Sequence, residues 1–184
     1  MQKHKQLLGR LLSVILVVLV LQGCSSSKRS GNSTSIHTTK PVDVGPGTDL
    51  QKKYATLIGV KAVDIENKNL YTFIDKWLNT AYSYGGQTSK GIDCSGFTQL
   101  LFDAVYKKKI PRTSEAQYNA VSERKNPKEG DLVFFTTIKG KKISHVGLFL
   151  QNNKFVSATN QGIAISDITW QYWRDRYVGA GEIK

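Results

Sequence analysis

Partway along this 184-residue chain the spacing of apolar residues changes period, and that change constrains the fold more than any other feature. Leu70, Phe73, Ile74, Trp77, Leu78 and Ala81 recur at helical spacing. After a Gly-rich turn, Phe97, Leu100, Leu101, Ala104 and Val105 repeat the pattern, and a shorter helix is expected over 114–121. Further on, Leu132–Phe135, Ile143–Leu150, Lys154–Ala158 and Gly162–Ser166 are short and either apolar or alternating. Turn residues such as Lys139-Gly140 and Asn152-Asn153 separate them. Helices first and strands afterwards predict an α+β fold, a small antiparallel sheet packed against helices on one side.

The chain ahead of this region reads as an address and a tether. Lys3, Lys5 and Arg10 precede an apolar run of 11 residues, Leu11 to Leu21, too short to span a bilayer, which needs roughly 20. Leu21-Gln22-Gly23-Cys24 follows and resembles a bacterial lipobox, in which the cysteine becomes the acylated first residue. Residues 1–23 are therefore expected to be a lipoprotein signal peptide, with Cys24 lipidated and anchoring the protein to a membrane. Ser25 rather than Asp at the next position implies, by the same resemblance, an outer membrane and a location facing the periplasm. Residues 24–66 are expected to form the lipidated cysteine and a flexible tether, since 25–49 are rich in Ser and Thr and almost free of large apolar residues. A short lead-in helix over 50–66 is left open. The folded domain is expected over 67–184, a size suited to one domain.

Losing Lys3, Lys5 and Arg10 would leave 23 basic against 14 acidic residues, a net charge of +9 instead of +12. An exported lipoprotein does not meet nucleic acid, so the charge points to anionic wall polymer or lipid headgroups. Lys107-Lys108-Lys109 reads as a solvated helix end.

Only two cysteines are present, and acylation of Cys24 would leave Cys94 without a disulfide partner in a compartment where structural cysteines pair. Asp93 is a suitable N-cap, which puts Cys94 in the first helical turn, where free N–H groups and the helix dipole favour a thiolate. A cysteine nucleophile needs a base. His4 lies in the signal and His37 in the tether, so His145 is the candidate, in an apolar strand where Gly147 shares its face. A third polar group orients the imidazole in such sites, and Ser157 or Asn160 of the next strand could supply it. One cysteine and one histidine do not build a zinc site, and no His-Glu-x-x-His occurs. Gly86 and Gly91 have P-loop spacing, but Ile92-Asp93 stand where Lys-Ser/Thr is required. No cofactor is expected.

Five ordered pieces resemble the NlpC family of cell-wall cysteine peptidases, distant relatives of papain. They are Tyr82-x-Tyr84-Gly85-Gly86, Gly91-Ile92-Asp93-Cys94-Ser95-Gly96-Phe97, Ile110-Pro111-Arg112-Thr113-Ser114, Lys128-Glu129-Gly130-Asp131-Leu132-Val133-Phe134-Phe135 and His145-Val146-Gly147. The resemblance implies a papain-like fold and hydrolysis of amide bonds in peptidoglycan stem peptides, often between D-glutamate and a diamino acid. It implies Cys94 as nucleophile, His145 as base and Tyr82 as a residue that helps hold the developing oxyanion. Relatives often carry His where this chain has Ser157. The alternative reading that follows is a peptidoglycan-binding lipoprotein with the same fold and little or no turnover.

Overall fold

A computed structural model describes residues 43–140 and 142–184. The signal peptide, Cys24, His4 and His37 lie outside the described residues. Helix α1 (Asp49–Ile58) opens on a capping box, in which Thr48 and Gln51 each satisfy the other's backbone N–H, and closes on Gly59 in the left-handed conformation. Its inner face buries Tyr54, Ala55 and Ile58, and the Tyr54 ring packs 5.0 Å from that of Tyr71. A single 3₁₀ turn (Ala62–Asp64) leads to α2 (Lys68–Trp77), capped by the Asn67 side chain. The compact part therefore begins near Val44, well before the expected start at residue 67. Tyr54, Ala55, Ile58, Ala62 and Ile65 are core, and an expected tether running to 66 is too long.

A two-strand ribbon, β1 (Gln87–Thr88) with β2 (Gly91–Ile92), delivers the chain to α3 (Cys94–Leu101). The helix then widens into a π-helical stretch over Phe102–Tyr106 and ends at Lys107 with φ 57°. Helix α4 (Ser114–Asn119) is capped by Thr113. The main sheet uses β3 (Val121–Glu123), β4 (Leu132–Phe135), β5 (His145–Phe149), β6 (Lys154–Thr159), β7 (Gly162–Asp167) and β8 (Tyr177–Ile183). Their order is β3-β8-β4-β5-β6-β7, with every neighbouring pair antiparallel. Asn152 and Asn153, both at positive φ, make the tight turn that joins β5 to β6.

Alternation gives the sheet two apolar faces. Leu132, Phe134, Val146, Leu148, Val156 and Ala158 form one core with Phe97 and Leu101 of α3 and Leu70 and Ile74 of α2. Val133, Phe135, Phe149, Phe155 and Ala180 form the other, closed by Trp173 of α5 (Gln171–Arg174). The α+β expectation holds with one amendment: a four-residue helix also covers the face opposite α1–α4.

Candidate active site

The turn that carries Cys94 is braced before it is reactive. Asp93 is extended (φ −95°, ψ 173°), and its Oδ1 accepts the Gly96 N–H at 2.6 Å, which caps α3. Its Oδ2 accepts the Gly85 N–H at 2.9 Å. Arg112 donates to both oxygens, at 2.9 and 2.8 Å, in a two-point pairing. Burial pushes the Asp93 carboxyl up, but Arg112 and the Gly96 and Gly85 amides outweigh it and hold the group below its ordinary range. From the inner side, the buried Gln117 amide donates to the carbonyls of Ser95 (3.1 Å) and Pro111 (2.8 Å).

Cys94 is 7% exposed. Burial pushes its thiol up; the Val146 amide pulls it down, the Asp93 charge pushes it up again, and the amides of Ser95 and Cys94 oppose that. The net direction is up, so the resting group is a thiol. The Val146 contact has a cause in the sheet. The β5–β6 ladder pairs Leu148 with Val156 and Phe149 with Phe155 and stops there, which leaves the Val146 N–H for the sulfur.

His145, the next residue back on β5, is buried on the α5 side of the sheet. Its ring stacks on Trp173 at 5.1 Å between centroids and 27° between planes, with Phe135 tilted 6.0 Å away. Its Nε2 stands 3.0 Å from Ser157 Oγ. Burial lowers its pKa from 6.5 to about 4, so the ring is neutral near pH 7. When Nε2–H donates to Ser157, the lone pair is on Nδ1, the tautomer a base needs. Among the described residues no hydrogen bond joins the thiol to the ring.

Ser157 is fully buried. A Cβ at Gly147 would lie 2.6 Å from the Phe155 ring and 3.1 Å from Ser157 Cβ, so only glycine lets β6 approach closely enough for the hydroxyl to reach His145. Asn160, the other candidate, is exposed in the β6–β7 turn. Tyr82 reaches the site through a parallel bridge to Ile92, two residues before Cys94. Its phenol is raised, first by burial and then by Cys94 and Asp93. Tyr82, Tyr84 and Cys94 line a cleft of about 730 Å³ with Arg112, Ser114, Glu115, Ile138, Lys142 and Ser144. Arg112 stood in a motif without a role, and Trp173 lay in a segment with no readable period; both prove to hold the site.

The NlpC/P60 family profile matches residues 79–182. A Haemophilus influenzae protein named "Probable endopeptidase NlpC homolog" is 31% identical over 96% of this chain and 100% of its own. An Escherichia coli K12 protein named "Murein DD-endopeptidase MepS/Murein LD-carboxypeptidase" is 34% identical over 89% of this chain and 86% of its own. A crystal structure from Staphylococcus aureus, described as similar to lipoprotein, NLP/P60 family, superposes with TM-score 0.59 at 30% identity, covering 63% of this chain and 40% of that one. The papain-like architecture, with its cysteine at a helix start, agrees with these neighbours. The profile match spans more than half of the chain and two relatives exceed 30% identity over most of both partners, so this chain belongs to the NlpC/P60 family.

Proposed function

We propose that the protein is a peptidoglycan hydrolase that cleaves amide bonds of murein stem peptides, between D-glutamate and a diamino acid, by a cysteine–histidine mechanism. The observation that carries the reading is the meeting of α3 and β5: a thiol held by the Val146 N–H, one residue from a neutral imidazole whose Nε2 is engaged by Ser157. Family membership and a relative named as a murein endopeptidase support the peptidase class and the substrate polymer.

The groups imply a sequence of proton transfers. His145 Nδ1 takes the Cys94 proton as sulfur attacks the scissile carbonyl carbon. The N–H groups at the start of α3 and the Tyr82 hydroxyl hold the oxyanion. The imidazolium then protonates the departing amine, leaving a thioester on Cys94. Water, deprotonated by His145, hydrolyses it and restores the thiol.

A binding role without turnover is less well supported, because Ser157 makes the orienting contact that its replacement of histidine put in question. Lipidation at Cys24, an outer-membrane location and a periplasm-facing domain complete the proposal. The test of the reaction is digestion of purified peptidoglycan with mass analysis of the fragments. New D-glutamyl carboxyl and diamino-acid amino termini are expected, and intact stem peptides would overturn the proposal.

A further inference from the structure

Four aromatic side chains among the described residues are exposed. Tyr82 and Tyr84 line the cleft, whereas Trp170 and Tyr172, 57% and 51% exposed, sit on the turn that carries Trp173. The Tyr172 ring is held in place. It meets Trp173 at 4.9 Å and 88°, and the Arg176 guanidinium lies 4.1 Å from its centre. Arg176 also donates to the Tyr172 carbonyl at 2.9 Å. The Trp170 amide donates to the Asp167 carbonyl, and its own carbonyl accepts from Trp173 and Arg174, so its backbone is fixed on both sides. Every charged side chain from Asp167 to Arg176 is engaged: Asp167 with Lys154, Arg174 with Asp175 at 3.3 Å, and Arg176 with the Tyr172 ring. An anionic lipid surface, which is drawn to free Lys and Arg, finds no unengaged cation on this turn. Fixed, charge-balanced aromatic faces suit an uncharged ring whose C–H bonds point at the negative face of an arene, and little ordering entropy is lost on binding it. The turn also adjoins the site. The Trp173 ring packs against both Tyr172 and His145. The Arg176 carbonyl accepts from Thr136, where β4 gives way to the loop whose Ile138, Lys142 and Ser144 line the cleft.

We infer that Trp170 and Tyr172 form a stacking platform for the glycan strand of peptidoglycan, the chain of N-acetylated pyranose rings that bears the stem peptides. Each arene takes the C–H face of one sugar. The Gln171 carboxamide, exposed between them, offers a donor and an acceptor to hydroxyl and acetamido groups. The platform grips the polymer by its sugars and so raises the effective concentration of stem peptide at the neighbouring cleft. The inference takes its polymer from the hydrolase reading but uses neither the cleft nor the nucleophile.

The test is an NMR titration of the wild-type protein with an uncharged β-1,4-linked hexamer of N-acetylglucosamine, which has the sugar backbone and no stem peptide. Saturable binding is expected. Trp170→Ala and Tyr172→Ala should each weaken it about fivefold, with melting curves showing that each variant remains folded. Trp170→Phe should keep most of the affinity, and Leu57→Ala, at an exposed apolar residue of α1, should leave it unchanged. Absence of saturable binding, or binding indifferent to Trp170→Ala, overturns the inference. So does adsorption to phosphatidylglycerol vesicles that Trp170→Ala abolishes in a protein blind to the hexamer, since the turn would then be a membrane contact. The hexamer has no stem-peptide amide to cleave, so the two readings fail separately. A protein that binds it but releases nothing from peptidoglycan sinks the hydrolase reading alone, and a hydrolase that does not bind it sinks the platform alone.

Discussion

Replacing Ser157 by alanine isolates the contribution of the orienting hydrogen bond. The change removes one oxygen from a fully buried site and leaves His145 Nε2 without its partner at 3.0 Å, where water does not reach. The ring does not swing free, because Trp173 stacks on one face and Phe135 restricts it from another side. The bond strengthens as the ring takes the Cys94 proton, from a neutral hydrogen bond worth about 0.5–1.5 kcal/mol to one with a charged donor worth about 1.5–3 kcal/mol, so kcat loses the difference, about 1–1.5 kcal/mol or roughly five- to thirteenfold. KM should move little, since Ser157 does not line the cleft. Initial rates on a soluble muropeptide, resolved by chromatography, give both constants, and a melting curve shows whether the fold persists. A kcat within twofold of wild type, or a loss beyond about a thousandfold in a protein that still melts cooperatively, would refute the orienting role.

The buried imidazole predicts an acid limb of kcat/KM near pH 4 and not near 6.5, because the base works only when neutral and is lost as pH falls through its folded value of about 4. The same depression contributes stability that is complete above about pH 6.5 and declines by up to about 3 kcal/mol as pH falls to 4, a dependence that melting curves should show absent in His145→Gln. Ile58→Ala, in the fully buried face of α1, should cost about 3 kcal/mol in chemical denaturation, whereas a solvated tether would show no change. Cys24→Ala should release the protein from membranes in fractionated cells and leave the activity of the soluble domain unaltered; association that survived the change would place the anchor elsewhere.

The sequence made α2, α3, β4, β5, β6 and β7 legible because each carries an apolar stripe or alternation long enough to read. It also named Asp93 as cap, Cys94 and His145 as a pair, and Ser157 as one of two orienting groups. What escaped it was short or poor in apolar residues. One inner face of Tyr54, Ala55 and Ile58 in a polar ten-residue helix did not announce that α1 belongs to the core. Tyr177–Ile183 carries two glycines, so β8 had no strand pattern, and it is central because its partners β3 and β4 flank it. Trp173 and Gln117 act through contacts between segments distant in sequence, which no local pattern records. The choice of Ser157 over Asn160 depended on where the β5–β6 ladder ends and on the space beside Gly147, both properties of the folded sheet.

The central claim, that Cys94 is the nucleophile, is tested most directly by the rate of fragment release from purified peptidoglycan by wild type and by Cys94→Ser. The substitution is nearly isosteric at the start of a capped helix, so the melting temperature should not change. A hydroxyl ionises far less readily than a thiol and would not give up its proton to this imidazole. Fragments from wild type and none from Cys94→Ser are predicted. Comparable release by the two proteins would contradict the account.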